Sequence, residues 1–188
     1  MVSRLFMVLI GCKPKGRHTE QHDIFFGIAP SMKELIPQII AFWPEAEGDL
    51  HIDGWREVNQ VDGFNVRVDE RNNERNQPSS TTSKLFFINL GGYKQNEFDE
   101  FHYKLLVAAS DKGEAVKRAK ATAFYKHTQF DGAKSHIDDK YGIDVDDLYK
   151  IEELLSPSIL EIYAVVLTET KEIKTDELHL GYFKLSSL

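Results

Sequence analysis

The stretch Leu85-Phe-Phe-Ile-Asn-Leu-Gly-Gly-Tyr-Lys94, followed after a short loop by Glu100-Phe-His-Tyr-Lys-Leu-Leu-Val-Ala-Ala109, decides the fold because the chain carries it twice. Eighty positions earlier, Leu5, Phe6, Gly11, Glu20, His22 and Ala29 stand where Leu85, Phe86, Gly91, Glu100, His102 and Ala109 recur, without a gap. Further along, His51-Ile52-Asp53 recurs as His136-Ile137-Asp138. The sequence reads as a tandem duplication, and its repeated polar residues are its best functional clue.

In each copy an unbroken apolar run, Leu5–Ile10 or Leu85–Leu90, ends at a glycine and reads as a strand buried on both faces. Asp23–Ala29 and Lys104–Ala109 return as the second arm of an open hairpin. Ser31 with Glu34, and Asp111 with Glu114, then mark helix starts of the capping-box type. Leu35, Ile36, Ile39, Ile40 and Trp43 make the core face of the first helix, which Pro37 should kink and Pro44 should end. The second helix presents a smaller face, Ala115, Val116, Ala119, Ala123 and Phe124. Leu50–Val58 and Phe64–Val68 read as further strands, and Val61-Asp62-Gly63-Phe64 aligns with Val145-Asp146-Asp147-Leu148. Residues 69–83 are almost wholly polar and bury nothing, so they read as a linker or mobile loop. Ile159–Leu167 and Leu178–Leu185 read as two strands joined by a charged turn.

The expected fold is therefore α+β, a tandem duplication of two ββαβ units with partly antiparallel sheets and pseudo-two-fold symmetry, plus a C-terminal β-hairpin. The first repeat is 1–68, the polar linker 69–83, the second repeat 84–155 and the hairpin extension 156–188. That hairpin has no counterpart in the first copy and either extends a sheet or pairs with a second subunit, making a homo-oligomer a partner to expect.

Composition narrows the class. A chain of 188 residues buries roughly 70% of its unfolded surface, enough for a core without disulfides or metals. A net charge of −7 argues against a general nucleic-acid binder, which needs a basic surface to displace phosphate counterions. Cys12 is the only cysteine, which leaves no disulfide framework and no cysteine-based zinc site and fits a cytoplasmic setting. Leu5–Ile10 followed by Gly11-Cys12 has the look of a lipoprotein signal, but its apolar run is shorter than the roughly 7–15 residues required. No stretch approaches the ~20 apolar residues of a membrane span, so no membrane partner is expected.

The candidate polar site is the repeated set Glu20, His22, His51, Asp53, Glu100, His102, His136 and Asp138. Glu20 and His22, like Glu100 and His102, are two apart and share one face of a strand, as do His51 with Asp53 and His136 with Asp138. If the two segments of a copy are sheet neighbours, each copy gathers two imidazoles and two carboxylates. Such a set suits zinc, manganese or non-haem iron, with His102, His136 and Asp138 as metal candidates, or a His oriented by a carboxylate for acid–base work. The same residues also serve as hydrogen bonds that hold hairpins and turns together, a role that requires no cofactor. Gly11 and Gly91-Gly92 permit close approach to the backbone. The Asp138-Asp139-Lys140-Tyr141-Gly142 run resembles a calcium loop but has its glycine out of register and no closing Glu. Lys13, Lys15, Arg17 and His18 form a basic loop in the first copy alone.

Leu85-Phe-x-x-x-Leu-Gly-Gly-Tyr93, Glu100-Phe-His102, Ala123-Phe-Tyr-Lys-His127 and the run from Ser135 to Asp147 resemble the bacterial domain-of-unknown-function family 1543. Glu20-Gln-His22-Asp23 and His51-Ile-Asp-Gly-Trp55 resemble its N-terminal half. The resemblance spans Leu5 to Leu155 and implies a bacterial, cytoplasmic protein carrying the domain twice; it brings no activity with it. Cys12 replaces the motif's second glycine and Gly54 its second Asp, so if only one copy is active the second is the better candidate. Two functions follow from the residues: a non-catalytic binding or interaction protein, favoured, or a small metal-assisted or acid–base hydrolytic enzyme using the Glu-x-His and His-x-Asp residues. The enzyme requires Glu100, His102, His136 and Asp138 to converge around a cleft.

Overall fold

The computed structural model describes residues 2–72, 81–93, 96–128 and 144–188. In chain order the elements are β1 (Arg4–Cys12), β2 (Gln21–Ala29), α1 (Met32–Phe42), β3 (His51–Glu57), β4 (Gln60–Val61), β5 (Phe64–Glu70), β6 (Lys84–Tyr93), β7 (Glu100–Ala109), α2 (Lys112–Thr128), β8 (Asp144–Lys150), α3 (Ile151–Leu154), α4 (Pro157–Ile162), β9 (Tyr163–Glu169) and β10 (His179–Lys184). The fold is α+β with antiparallel sheets. Two compact units form, Met1–Ser80 with Leu154–Leu188, and Thr81–Glu153.

In the first unit the sheet order is β10-β3-β1-β2. Alternation along β1 sends Phe6, Val8, Ile10 and Cys12 to one face, where they pack with Met32, Leu35 and Ile39 of α1 and with Ile52 of β3. Leu35 and Ile39 are fully buried, each contributing about 1.5–3 kcal/mol through its area. Ile40, expected in the core, is 46% exposed, because Met32, Leu35 and Ile39 already make the seam and Ile40 falls beyond it. Leu5, Met7, Leu9 and Gly11 face the other way, and that second face carries the site.

The second unit repeats the order strand, strand, helix, strand, with sheet order β7-β6-β8 matching β2-β1-β3. Its core joins Phe86, Ile88, Leu90, Val107 and Ala109 to Ala115 and Ala119 of α2. The two small residues let the helix lie close to the sheet.

The two helix starts differ. At α1, Ser31 makes no side-chain cap, and its hydroxyl donates to Glu34 Oε1 at 3.4 Å. At α2, Asp111 Oδ1 accepts the Glu114 amide at 2.9 Å, and Glu114 Oε2 accepts from the Ser110 amide at 2.9 Å and hydroxyl at 2.8 Å. The Ser110 backbone amide, then its hydroxyl, then Arg118 hold the Glu114 carboxyl down to about 2, from an ordinary 4.5. A depressed carboxylate stabilises the fold above its unfolded pKa, and that contribution disappears as pH falls through the folded value. Acid unfolding followed by circular dichroism should therefore lose helix between pH 4.5 and about 2, with a shallower pH dependence in Glu114→Gln. Equal slopes in the two proteins would remove Glu114 from the account.

Three expectations are corrected. The C-terminal strands do not form a hairpin: β9 pairs with β5 and β10 pairs with β3, in separate sheets of the first unit. Ile159–Ile162 is helical rather than extended, because Ser156 caps α4 by accepting the Ile159 amide and Pro157 opens its first turn. The charged turn between β9 and β10 is also anchored: Asp176 is 8% exposed and accepts the Asn59 amide at 3.1 Å. Val145-Asp146-Asp147-Leu148, aligned above with the run Val61-Asp62-Gly63-Phe64 that leads into a strand, itself lies within one, β8, whose Val145 and Leu148 pack on the second core. Of the polar stretch 69–83, residues 69 and 70 extend β5 and residues 73–80 lie outside the described residues.

Candidate metal centre

The site in the first unit begins as one rung of the sheet. His22 on β2 pairs with Gly11 on β1, and Gly11 pairs with His51 on β3. Paired residues project from the same face, so two imidazoles straddle a glycine from strands whose backbones lie about 9.5 Å apart. Glu20, two residues before His22, and Asp53, two after His51, complete the group.

Asp53 reaches it through a bulge. Leu9 pairs with Gly54 and Ile10 with Ile52, leaving Asp53 as the extra residue. A bulge leaves one residue unpaired, bends the strand locally and re-aims a side chain. Here it sends the carboxylate over Gly11, while Ile52 stays in the core.

The four side chains meet over Gly11. His22 Nε2 lies 3.1 Å from Asp53 Oδ2 and 3.6 Å from Glu20 Oε2. His51 Nε2 lies 3.0 Å from Glu20 Oε1 and 3.4 Å from the same Asp53 Oδ2. A Cβ on Gly11 would sit 2.6 Å from His51 Nε2 and 2.7 Å from Asp53 Oδ2, so glycine is needed for space. The inner half is dry and the outer half wet: the His51 side chain is 8% exposed, against 41% for His22 and 46% for Glu20. His51 Nε2 and Asp53 Oδ2 are buried without a hydrogen bond of acceptable geometry. A buried polar atom without a well-formed hydrogen bond costs roughly 1–3 kcal/mol, and two such atoms 3.4 Å apart fit a bound cation. Cys12, next along β1, is turned into the core; burial above all, then Asp49 and Glu20, pushes its thiol pKa up. It stays protonated and outside the ligand set.

The second unit has the same frame with other residues. Gly91 pairs with His102 on β7 and with Asp144 on β8, and Asp146 is the bulged residue between Val145 and Asp147. His102 Nε2 lies 3.4 Å from Asp146 Oδ2 and 4.0 Å from Glu100 Oε2. A Cβ on Gly91 would fall on the Asp146 carboxylate, 2.8 Å from Oδ1. Among the described residues, Glu20, His22 and His51, and Glu100, His102 and Asp146, are the groups whose ligand atoms all lie within 4.8 Å of one another.

The sequence alignment of the third strand is corrected by the register. His136 and Asp138 lie outside the described residues, and the strand beside β6 is Asp144–Lys150. Val145-Asp146-Asp147-Leu148 corresponds to Ile52-Asp53-Gly54-Trp55, not to Val61-Asp62-Gly63-Phe64. The residue level with His51 is thus Asp144, and Asp146 takes the place of Asp53. Sequence reasoning missed Asp146 because the His-Ile-Asp identity outweighed the weaker signal, an Asp-Asp pair between Val145 and Leu148 on the strand that pairs with the Gly-ended one. Among the described residues, the fuller group is that of the first unit.

Residues 17–68, which carry Glu20, His22, His51 and Asp53, match the family model described as Domain of Unknown Function (DUF1543), the family the sequence resembles. No curated protein matches the chain. Among solved structures, the crystal structure of a protein Il1583 from Idiomarina loihiensis is similar over 97% of each chain, with 22% identity and a TM-score of 0.60. At that identity the likeness is one of fold. No helix among the described residues is long and apolar enough to cross a membrane.

Proposed function

We propose that the chain is a metal-binding protein whose first unit holds one divalent first-row transition ion, zinc foremost, through His22, His51, Glu20 and Asp53. The observation that carries this reading is the pair of buried atoms His51 Nε2 and Asp53 Oδ2, which make no well-formed hydrogen bond although each lies 3.0–3.4 Å from ligand-type atoms of the same group. Spacing supports it. Ligand bonds of 2.0–2.1 Å in a tetrahedron put ligand atoms about 3.3–3.4 Å apart, and the four imidazole–carboxylate separations run from 3.0 to 3.6 Å, Glu20 meeting His22 through Oε2 and His51 through Oε1. Nitrogen and oxygen ligands without sulfur suit zinc, manganese or iron. Glu20, His22 and His51 each offer a ligand atom within 4.8 Å of the others. Asp53, 3.1 Å from His22 and 3.4 Å from His51, is the fourth ligand that would close a tetrahedral sphere, as in a centre that binds rather than one that turns over. The shared strand order and glycine rung of the second unit support a duplication, with Glu100, His102 and Asp146 a weaker, more oxygen-rich version of the same site.

Zinc titration by calorimetry, paired with metal analysis of the purified protein, tests this. Wild type should take one tight equivalent, absent from His22→Ala and His51→Ala. Loss of a single ligand should cost at least the 10–100-fold typical of disturbing a ligand's support. Retention of full affinity in His51→Ala would leave the quartet as hydrogen-bonded structure.

One observation favours the enzymatic alternative. Glu20 precedes β2, and its side chain is 46% exposed, so it is the ligand placed to yield its position to a water. In that reading Glu20→Gln keeps the ion and abolishes hydrolysis. In the binding reading it only weakens the ion.

A further inference from the structure

We propose that Tyr182, on the C-terminal strand, is a positioning residue for the ligand His51, so that seating of β10 and occupancy of the metal site are linked; this rests on the metal reading above. The His51 and Tyr182 rings are stacked, with centroids 4.4 Å apart and planes 28° apart. With Gly11 at the Nε2 edge of the imidazole and Tyr182 on its face, the ring is held in the orientation that aims Nε2 at the other three ligands.

The backbone of β10 is built for this contact. Leu180 pairs with Gly54 and Phe183 with Ile52, so Gly181 and Tyr182 together oppose the single residue Asp53. The bulge in β10 therefore coincides with the bulge that delivers Asp53. Gly181 has φ +141, in the region that favours glycine. The turn it makes places an otherwise exposed tyrosine over the imidazole; Tyr182 is 66% exposed, so core burial does not hold it there. His179, stacked on Trp55 at 3.8 Å and 11°, and Phe183, packed on the first core, fix the strand on either side.

The second unit supplies the contrast. Its β8 pairs with β6 and has no strand like β10 on its other side among the described residues, and an aspartate stands level with His51. An imidazole at this position thus goes with the strand that braces it. Binding linkage is reciprocal: a strand that orients the ligand for zinc is itself held more firmly once zinc is bound.

The test compares Tyr182→Phe, Tyr182→Leu and Tyr182→Ala for zinc affinity by calorimetry, for zinc-free Tm, and for amide exchange in β10 with and without zinc. Tyr182→Phe should bind within a few-fold of wild type. Tyr182→Ala should lose about 10–100-fold, the range for second-layer supports of a ligand, with its zinc-free Tm little changed. Tyr182→Leu, which covers the ring without stacking on it, should also lose affinity. Zinc should slow exchange in β10 of wild type more than in β10 of Tyr182→Ala. Wild-type protein that binds zinc while Tyr182→Ala or Tyr182→Leu binds it equally well overturns the inference alone, as does exchange in β10 that zinc leaves unchanged. Wild-type protein that takes no zinc overturns the metal reading and this inference with it.

Discussion

Gly11→Ala should abolish tight zinc binding while leaving the protein folded. The backbone at Gly11 lies outside the left-handed region, so alanine meets no torsional strain there. The effect is wholly one of space. The added methyl falls 2.6 Å from His51 Nε2 and 2.7 Å from Asp53 Oδ2, closer than a real Cβ tolerates, so both ligand atoms must move. His51 is the less able to do so, being buried against Tyr182. Two of four ligands are displaced at once, and a fall in affinity of at least about 100-fold is expected, the upper end of what one disturbed support costs. The stability cost should stay near the 1–3 kcal/mol of a single overpacked methyl. Gly92→Ala is the matched control, because nothing lies within 4 Å of a Cβ built there. Calorimetry on the two variants decides the matter, and unchanged zinc affinity in Gly11→Ala would mean the ion does not sit over the glycine.

Much of this site is legible in the sequence, and the reason is periodicity. Glu20 and His22 recur two apart at the end of a hairpin whose apolar strands are plain, and period two puts them on one face. A glycine closing an apolar run signals close approach, although what approaches Gly11 is the site's own His51 and Asp53. Other features depend on register, which a sequence states weakly. Asp53 and Asp146 are bulge residues, and a bulge breaks the alternation by which strand faces are read. The His-Ile-Asp identity at 136–138 was the stronger sequence match, yet Asp144–Lys150 is the strand that pairs with β6. Leu178–Leu185 is recognisable as a strand, but its partner is chosen by shape: β3 offers a free edge, and Trp55 and Ile52 on that strand receive His179 and Phe183. Tyr182 was invisible for the same reason, since its role exists only once β10 is laid beside β3.

Phe6→Ala should be the most destabilising single change in the first unit, and zinc should reverse much of it. Phe6 is 1% exposed, packs among Val8, Phe25, Leu35 and Ile52, and lies 6.2 Å from the Trp55 ring. Removing a buried phenyl ring costs roughly 3–5 kcal/mol, transfer and cavity together, a large part of the 5–15 kcal/mol that holds a typical domain folded. Phe6 shares β1 with Gly11, so the strand that loses its core anchor is the one that floors the metal site. The quartet is assembled only in the folded unit, because its ligands come from β2, from β3 and from the turn ahead of β2. Zinc at one hundred times its dissociation constant should therefore return about 2.7 kcal/mol to the folded state. Thermal unfolding of Phe6→Ala should show a low Tm without zinc and recovery of about half or more of the loss with it. The double variant Phe6→Ala, His51→Ala should start as low and recover nothing at the same zinc concentration. Equal recovery in the double variant would place the stabilising ion somewhere other than the quartet, and the functional reading would go with it.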